Sequence, residues 1–358
     1  MKTFFAKHIL LLFTVTAGLL FLYSFTQIDL GLALTRFPAL FSVQRAFQTI
    51  GYFNRPLSAA LYALILVLMT AAYLVILHVG RSGKLQRRLV WRYIFIVTAL
   101  LTFAYNAFSY DLFNYIFDAK IVTYYHHNPY EHKALDYPQD PMLGFMHWTH
   151  RVYPYGPAWL GLTVPLSFAG FHVFLLTFVL FKLLAAGCFL GTVYFLEKIA
   201  EKTGMHALVP VLFFAFNPLV LIESLISGHN DIVMMFFAVT GMYLLLKKRY
   251  ILSILLMALS VATKFATVFL IPAYLSSFIL QYIKVKIPWV QIWVTALGCM
   301  GLAVLAASQT SGNFQPWYLL LVLPFAALLA ENRFFSYVAA IVTVVIAGTY
   351  LPFLYLGN

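Results

Sequence analysis

The sequence predicts an all-α, polytopic membrane protein, and three observations carry that prediction. Of its 358 residues, 63% are hydrophobic and only 9% are charged. Apolar runs of spanning length recur at 57–79, 93–109, 171–196, 207–227 and 335–356, and about 20 such residues cross the hydrocarbon core as a helix. The alternation of a transmembrane β-barrel is absent, and helices keep every backbone group bonded internally, so the spans are helical.

Each element follows from its own stretch of chain. The run 9–25 resembles the apolar part of a signal peptide, but no small-residue cleavage site follows it, so it is expected to remain as a first helix. Spans at 57–79 and 93–109 flank a basic loop with Arg81, Lys84, Arg87, Arg88 and Arg92. A long polar loop then covers 110–157. Residues 158–169, between Pro157 and Gly170, are too short to span and read as a half-helix at the membrane surface. Spans at 171–196 and 207–227 follow, then a Gly228–Asp231 turn and another apolar helix. The stretch 251–282 is expected to cross twice, as two short helices meeting near Lys264, so that Lys284 returns to the basic side. A last helix occupies 335–356. The tally is about eleven helices at roughly 20 residues each. No internal repeat or separate hydrophilic domain is evident, which leaves one domain over 1–358, with N-terminal helices in 1–92, a core in 93–330 and a C-terminal helix in 331–358.

Charge distribution orients the bundle and limits the partners. A net charge of +12 could suggest nucleic acid, but the basic residues cluster in short loops in the positive-inside pattern, so no nucleic acid is expected and anionic lipid headgroups are. Placing the clusters in the cytoplasm, with Lys2, Lys7 and Arg333, puts fifteen Lys and Arg inside. Seven remain outside (Arg36, Arg45, Arg55, Lys120, Lys133, Arg151, Lys264), and Lys182 lies within a span. Residues 31–56, 110–157, 228–231 and 309–317 then share the non-cytoplasmic face. Cys188 and Cys299 sit inside predicted spans and read as small buried apolar residues, not as a disulfide or metal framework.

The titratable groups gather in one loop. The segment from Tyr110 to Pro157 holds five of the eleven acidic residues (Asp111, Asp118, Glu131, Asp136, Asp140) and five of the ten histidines (His126, His127, His132, His147, His150). Such a concentration in a bilayer protein points to chemistry more than to connection. Asp111 follows a span directly. Spacings of three, four and seven put Asp111, Asn114 and Asp118 on one face of an amphipathic helix. Helix capping alone would also account for an Asp at position 111. The His127-Asn128-Pro129-Tyr130 and Tyr153-Pro154-Tyr155-Gly156-Pro157 segments read as rigid turns, with Gly156 free to take positive φ. His147 and His150 are three apart, yet no HExxH pattern occurs and interfacial histidines are the simpler reading; no cofactor is expected and a divalent metal is not favoured.

Four features lie beyond the loop. Gly228-His229-Asn230-Asp231 is a good turn, with Asp231 placed to cap the next helix. Glu223 and Lys264 lie in apolar runs, where a charge should face a cavity, a counter-ion or the interface. Gln315-Pro316-Trp317-Tyr318 suits a sugar-stacking platform, although Trp at a helix end is commonly an interfacial belt residue.

These pieces, in this order, resemble the GT-C superfamily of integral-membrane glycosyltransferases. The likeness is strongest to the polyprenyl-phosphate-mannose-dependent mannosyltransferases: the bacterial α-mannosyltransferases of lipoglycan synthesis and, more distantly, the first mannosyltransferase of the GPI pathway. Asp111-Leu112-Phe113-Asn114-Tyr115 with Asp118, Asn128-Pro129-Tyr130, Tyr153–Pro157, Gly228–Asp231, Lys264 before Pro272, and Gln315–Tyr318 carry the resemblance over roughly 93–330. It implies a catalytic core at 93–330 with an outer-face loop at 110–157, and Asp111 as catalytic base, with Asp118 the next acid to consider. The GPI enzymes usually carry D-x-D where this chain reads Asp111-Leu112-Phe113, which tells against a GPI-type assignment and against a metal role. The implied reaction takes a hexose, most simply mannose, from a polyprenyl monophosphate to a glycolipid or glycan acceptor. It inverts the anomeric centre, at the non-cytoplasmic face of the plasma (inner) membrane.

On that reading Arg151, Lys264 and His229 are candidates for the donor phosphate, because positive charge is needed where negative charge develops. Asn114, Tyr130, Tyr153, Tyr155, Asp231, Gln315 and Trp317 are candidates for substrate contact. Three rivals remain: a transporter or flippase using Glu223, Lys264 and Lys182, which would predict repeated halves; a lipid-linked glycan ligase or polymerase; and a non-catalytic membrane subunit.

Overall fold

Helix accounts for nearly all regular structure in the computed structural model. It describes the backbone of residues 2–35, 37–83 and 85–357 and side chains from Lys7 onward. Arg36, Lys84 and the side chain of Lys2, which entered the charge tally, lie outside the described residues. In chain order the helices are α1 (Lys2–Ser24), α2 (Pro38–Gln48), α3 (Arg55–Arg81), α4 (Arg87–Thr102), α5 (Asp111–Thr123), α6 (Pro157–Ala169), α7 (Phe174–Thr203), α8 (Leu208–Ala215), α9 (Pro218–Leu221), α10 (Asp231–Leu246), α11 (Tyr250–Thr263), α12 (Ile271–Tyr282), α13 (Trp289–Thr310), α14 (Leu323–Leu328), α15 (Arg333–Gly348) and α16 (Tyr350–Leu356). Among the described residues there is no strand, only an isolated antiparallel bridge between Lys133 and Val152 inside the long loop.

Six segments are long and apolar enough to cross a bilayer: Lys7–Gln27, Arg55–Arg81, Phe174–Thr203, Phe265–Tyr282, Trp289–Thr310 and Arg333–Leu356. The pair Leu208–Ala215 and Pro218–Ile226, bent by 62°, makes a seventh if counted as one broken span. Three shorter apolar helices, Pro157–Ala169, Asp231–Leu246 and Tyr250–Thr263, stand beside them. The count departs from the roughly eleven crossings expected at about 20 residues each, because breaks divide several apolar runs into helices of 8 to 16 residues. The expected span at 93–109 is also shorter, since α4 ends at Thr102.

The most buried part of the bundle is this bent pair with α10, which packs on α7 and α11. Asn217 forms the break: its side-chain oxygen accepts from Leu219 N and Val220 N at 3.0 and 3.4 Å, and Pro218 begins the next turn. That arrangement satisfies backbone donors that a membrane interior would leave bare. Residues Ile222–Ile226 form a π-helical turn, a feature often found at functional sites. Its free carbonyls are met by Lys182, fully buried on α7, whose ammonium donates to Leu225 O and, at 2.6 Å, to Ile226 O. Gly228 then takes φ 67° with Leu112 and the Lys182 stem packed close around it, so a residue without Cβ suits the turn. The chain thereby delivers His229, Asn230 and Asp231, each 0% exposed, to a point beneath the long loop.

The predicted break at Lys264 is present. Helix α11 ends at Thr263, Lys264 is extended (φ −156°, ψ 128°), and a 3₁₀ segment, Phe265–Leu270, leads into α12. Helix α6 packs against α5 and α11. Gly156 differs from expectation: its φ is −76°, not positive. Glycine is required there because a Cβ would overlap the backbone of Ala262, while Gly156 N donates to Thr263 O at 3.2 Å. The Tyr153–Pro157 turn is thus clamped onto the end of α11, one residue from Lys264.

Candidate active site

Asp111 opens α5. Its amide donates to Ser109 Oγ at 3.2 Å, and Asn106 Nδ2 holds Ser109 O at 2.8 Å, which fixes the turn into the helix. The residue at the cap position is Tyr110, without a side-chain cap. The Asp111 carboxylate is therefore not spent on capping; it lies at the positive end of the helix, where a negative charge is favoured. Asp118, two turns on, is buried, and its carboxyl is pushed up to about 8, first by desolvation and then by the Asp111 charge, against the opposing pull of Arg151.

Behind Asp111 runs a line of buried polar groups. His229 Nδ1 lies 3.6 Å from Asp111 Oδ2, and His229 Nε2 lies 3.3 Å from Glu223 Oε2. Tyr350 Oη donates to the other Glu223 oxygen at 2.7 Å. The His229 ring stacks beneath Trp317, with centroids 4.3 Å apart and planes at 20°. One turn away, both oxygens of fully buried Asp231 accept from Lys264 Nζ at 2.9 Å. Asn230 Oδ1 lies 3.4 Å from Tyr115 Oη. The imidazole is thus flanked by two carboxylates, and Lys264 is tied to a third.

In front of Asp111 a cavity of ≈ 530 Å³ opens, lined by Asp111, Trp148, Arg151, Pro154, Tyr155, Lys264, Gln315, Trp317 and Tyr318 with residues of the 310–313 turn. Its floor is acidic and its walls are cationic and aromatic. Arg151 lies over the Trp148 ring at 4.7 Å and makes no ion pair among the described residues. Trp148 itself holds φ 55°, an unusual conformation for a bulky residue and one of the kind that clusters at functional sites. Lys264 lies 5.8 Å from the Tyr318 ring.

Of the residues singled out from sequence, Asp111, Arg151, Tyr155, Lys264, Gln315 and Trp317 meet in this cavity. His229 and Asp231 lie under its floor, reaching it through Asp111 and Lys264. Asp118 and Asn114 sit along α5, and Asn114 Oδ1 is buried without a partner among the described residues. Tyr130 and Tyr153 brace the loop instead: Tyr130 Oη donates to Tyr155 O at 3.2 Å and Tyr153 Oη to Gly156 O at 2.9 Å. His147 stacks on Tyr110, and among the described residues no three His, Cys, Asp or Glu side chains converge as metal ligands. Sequence reasoning passed over Trp148 and Tyr350. Position within the polar loop hinted at Trp148, whereas nothing local marks Tyr350, which meets Glu223 from 127 residues away.

Over 187 aligned residues, 51% of this chain, the sequence is 26% identical to alpha-(1->6)-mannopyranosyltransferase A of Corynebacterium glutamicum, and the match spans only 38% of that relative's length. No solved structure matches the chain. Residues 17–279, which contain Asp111, the whole long loop, the His229 turn and Lys264, match the family described as alpha-(1->6)-mannopyranosyltransferase, N-terminal domain. A match over well more than half of the chain settles the affiliation: this protein belongs to the alpha-(1->6)-mannopyranosyltransferase family.

Proposed function

We propose that the chain transfers a mannosyl unit from a polyprenyl monophosphate to a hydroxyl of a glycolipid or glycan acceptor, with inversion, at the non-cytoplasmic face of the plasma (inner) membrane. The observation that carries this reading is the cavity itself, which joins one acid, two cations and an aromatic wall from segments more than 200 residues apart in the chain. The acceptor O–H gives its proton to Asp111 as its oxygen bonds to C1 of the sugar; the C1–O bond to phosphate breaks, and the electron pair leaves on the polyprenyl phosphate. A phosphate monoester has a second pKa of about 6, so it departs as an anion and needs no proton. It does need positive charge as that charge grows. Arg151, in the cavity wall and without an ion pair among the described residues, is the first contact, and Lys264, already sharing its charge with Asp231, is the second.

A second feature supports a lipid-linked donor. Beside the cavity, past Pro157 and Phe265, lies an apolar groove of ≈ 520 Å³ lined by Met257, Val261, Ala262, Tyr274 and neighbours on α11 and α12. An isoprenoid chain could lie there while its phosphate reaches Lys264 and Arg151. The test is incubation of purified protein with radiolabelled polyprenyl-phosphate-mannose and a mannoside acceptor, with the product linkage read by NMR. Transfer with inversion is expected. Transfer from a nucleotide sugar but not from the lipid donor would overturn the donor assignment.

A further inference from the structure

A second polar pocket lies on the other side of the Asp111 strand of chain. The same two segments wall both spaces: Asp111 and Trp148 line the cavity, and their neighbours Tyr110 and His147 line this pocket. Tyr110 and His147 stack on each other in its wall, with ring centroids 3.7 Å apart and planes within 4°. The pocket measures ≈ 110 Å³, against about 10–15 Å³ for a single water on the same measure.

Two polar side chains of its wall, one carrying a buried acceptor and one a cation, lack a partner among the described residues. Asn106 is 3% exposed; its Nδ2 is committed to Ser109 O, and its Oδ1 has no partner among the described residues. An amide oxygen of that kind calls for an O–H or N–H donor. Arg55, at the start of α3, lies 5.8 Å from the Tyr52 ring and makes no hydrogen bond or ion pair among the described residues. Gly357 leaves room for its guanidinium, which a Cβ there would overlap. An unpaired acceptor, together with the Asp29 carboxylate 3.5 Å from Tyr110 Oη, disfavours an anion. Donors, acceptors and flat aromatic faces in one small space suit a neutral, hydroxyl-rich ring.

We propose that this pocket is a subsite for a neutral hexose unit of the acceptor, the one next to the unit whose hydroxyl reaches Asp111. The assignment rests on the transferase reading above and deepens it. Arg55 would donate to ring hydroxyls, Asn106 Oδ1 would accept from one, and the Tyr110–His147 pair would form the ledge over which the acceptor passes into the cavity.

The test compares methyl α-mannoside with the methyl glycoside of α-1,6-mannobiose, using purified full-length protein. Binding is read by saturation-transfer NMR, and transfer by kcat/KM for each acceptor. For the wild-type protein the disaccharide should bind at least tenfold more tightly. In Arg55→Met and Asn106→Leu that advantage should collapse, with Arg55→Lys restoring part of it. A purely structural role would instead lower use of both acceptors by the same factor. An unchanged preference for the disaccharide in both variants, equal loss of both acceptors, or no binding of the disaccharide to the wild-type protein would each overturn the subsite. Disaccharide binding that depends on Arg55 and Asn106, without transfer from any polyprenyl-phosphate-mannose, would leave the hexose site standing and remove the transferase reading instead.

Discussion

Lys264→Met removes the cation that both oxygens of Asp231 bind at 2.9 Å. Asp231 has no exposed side-chain surface, whereas Lys264 retains 23%. Stranding one member of a buried pair costs about 3–5 kcal/mol, because the remaining charge keeps its desolvation penalty. Partial exposure of Lys264 places the expected loss near the low end, about 3 kcal/mol, or roughly two decades in the folding equilibrium. Loss of this lysine therefore disturbs folding as well as any phosphate contact, and activity alone cannot separate the two effects. Asp231→Asn relieves the stranded charge, so the double variant should recover most of the lost stability, with a coupling of about 2 kcal/mol. The assay is equilibrium unfolding in mixed detergent micelles for the four members of the cycle. Donor KM is then measured in Lys264→Met/Asp231→Asn, where a rise reports the phosphate. A Lys264→Met protein within about 0.5 kcal/mol of wild type, with no coupling to Asp231, would show that the ion pair does not hold the turn.

Three further outcomes are expected. Arg151→Gln should raise donor KM by one to two decades, since a charge-assisted contact contributes about 1.5–3 kcal/mol, and Arg151→Lys should rescue only partly because an ammonium cannot copy the guanidinium fork; an unchanged donor KM would move the phosphate elsewhere in the cavity. Asp118 keeps its proton up to about 8 in the folded protein but loses it near 4 when unfolded, so stability should fall as pH rises across that window. Asp118→Asn should match wild type near pH 4 and exceed it in thermal midpoint at pH 9; the same slope in both proteins would assign the effect to other groups. Cysteine at Lys133 should react with an impermeant reagent in intact cells and cysteine at Arg88 should not; the reverse pattern would invert the topology drawn from the positive-inside bias.

What the sequence made legible was local. Asp111 stood out because it follows an apolar run and opens an amphipathic pattern, and α5 begins at that residue. The break at Lys264 was readable because a charge interrupts a run too long for one helix and too short for two ordinary spans. The polar turn at Gly228–Asp231 was readable from its residue types. The partners were not. Asp231 meets Lys264 across 33 residues and Glu223 meets Tyr350 across 127, distances that only the packed bundle closes. Lys182 was visible as a charge within a span, but its purpose depends on a π-turn that leaves Leu225 and Ile226 carbonyls free. Span counting met the same difficulty: hydropathy sees apolar length, whereas Asn217 and Lys264 break that length into pieces by satisfying or interrupting the backbone locally. Gly156 was correctly taken as structural, but what it provides is close approach to Ala262, not a positive φ.

The central claim is that Asp111 takes the acceptor proton while a sugar leaves a lipid phosphate in the cavity in front of it. Rapid-quench measurement of polyprenyl phosphate released from polyprenyl-phosphate-mannose, in wild type and Asp111→Asn, tests this most directly. Asn keeps the volume and polarity of the side chain but cannot accept the proton, and loss of a general base costs about 10²–10⁴ in rate. We expect the variant to bind the lipid donor with wild-type affinity and to release phosphate at least about a hundredfold more slowly. Release at more than half the wild-type rate, with the donor equally bound, would contradict the assignment of Asp111 as the base.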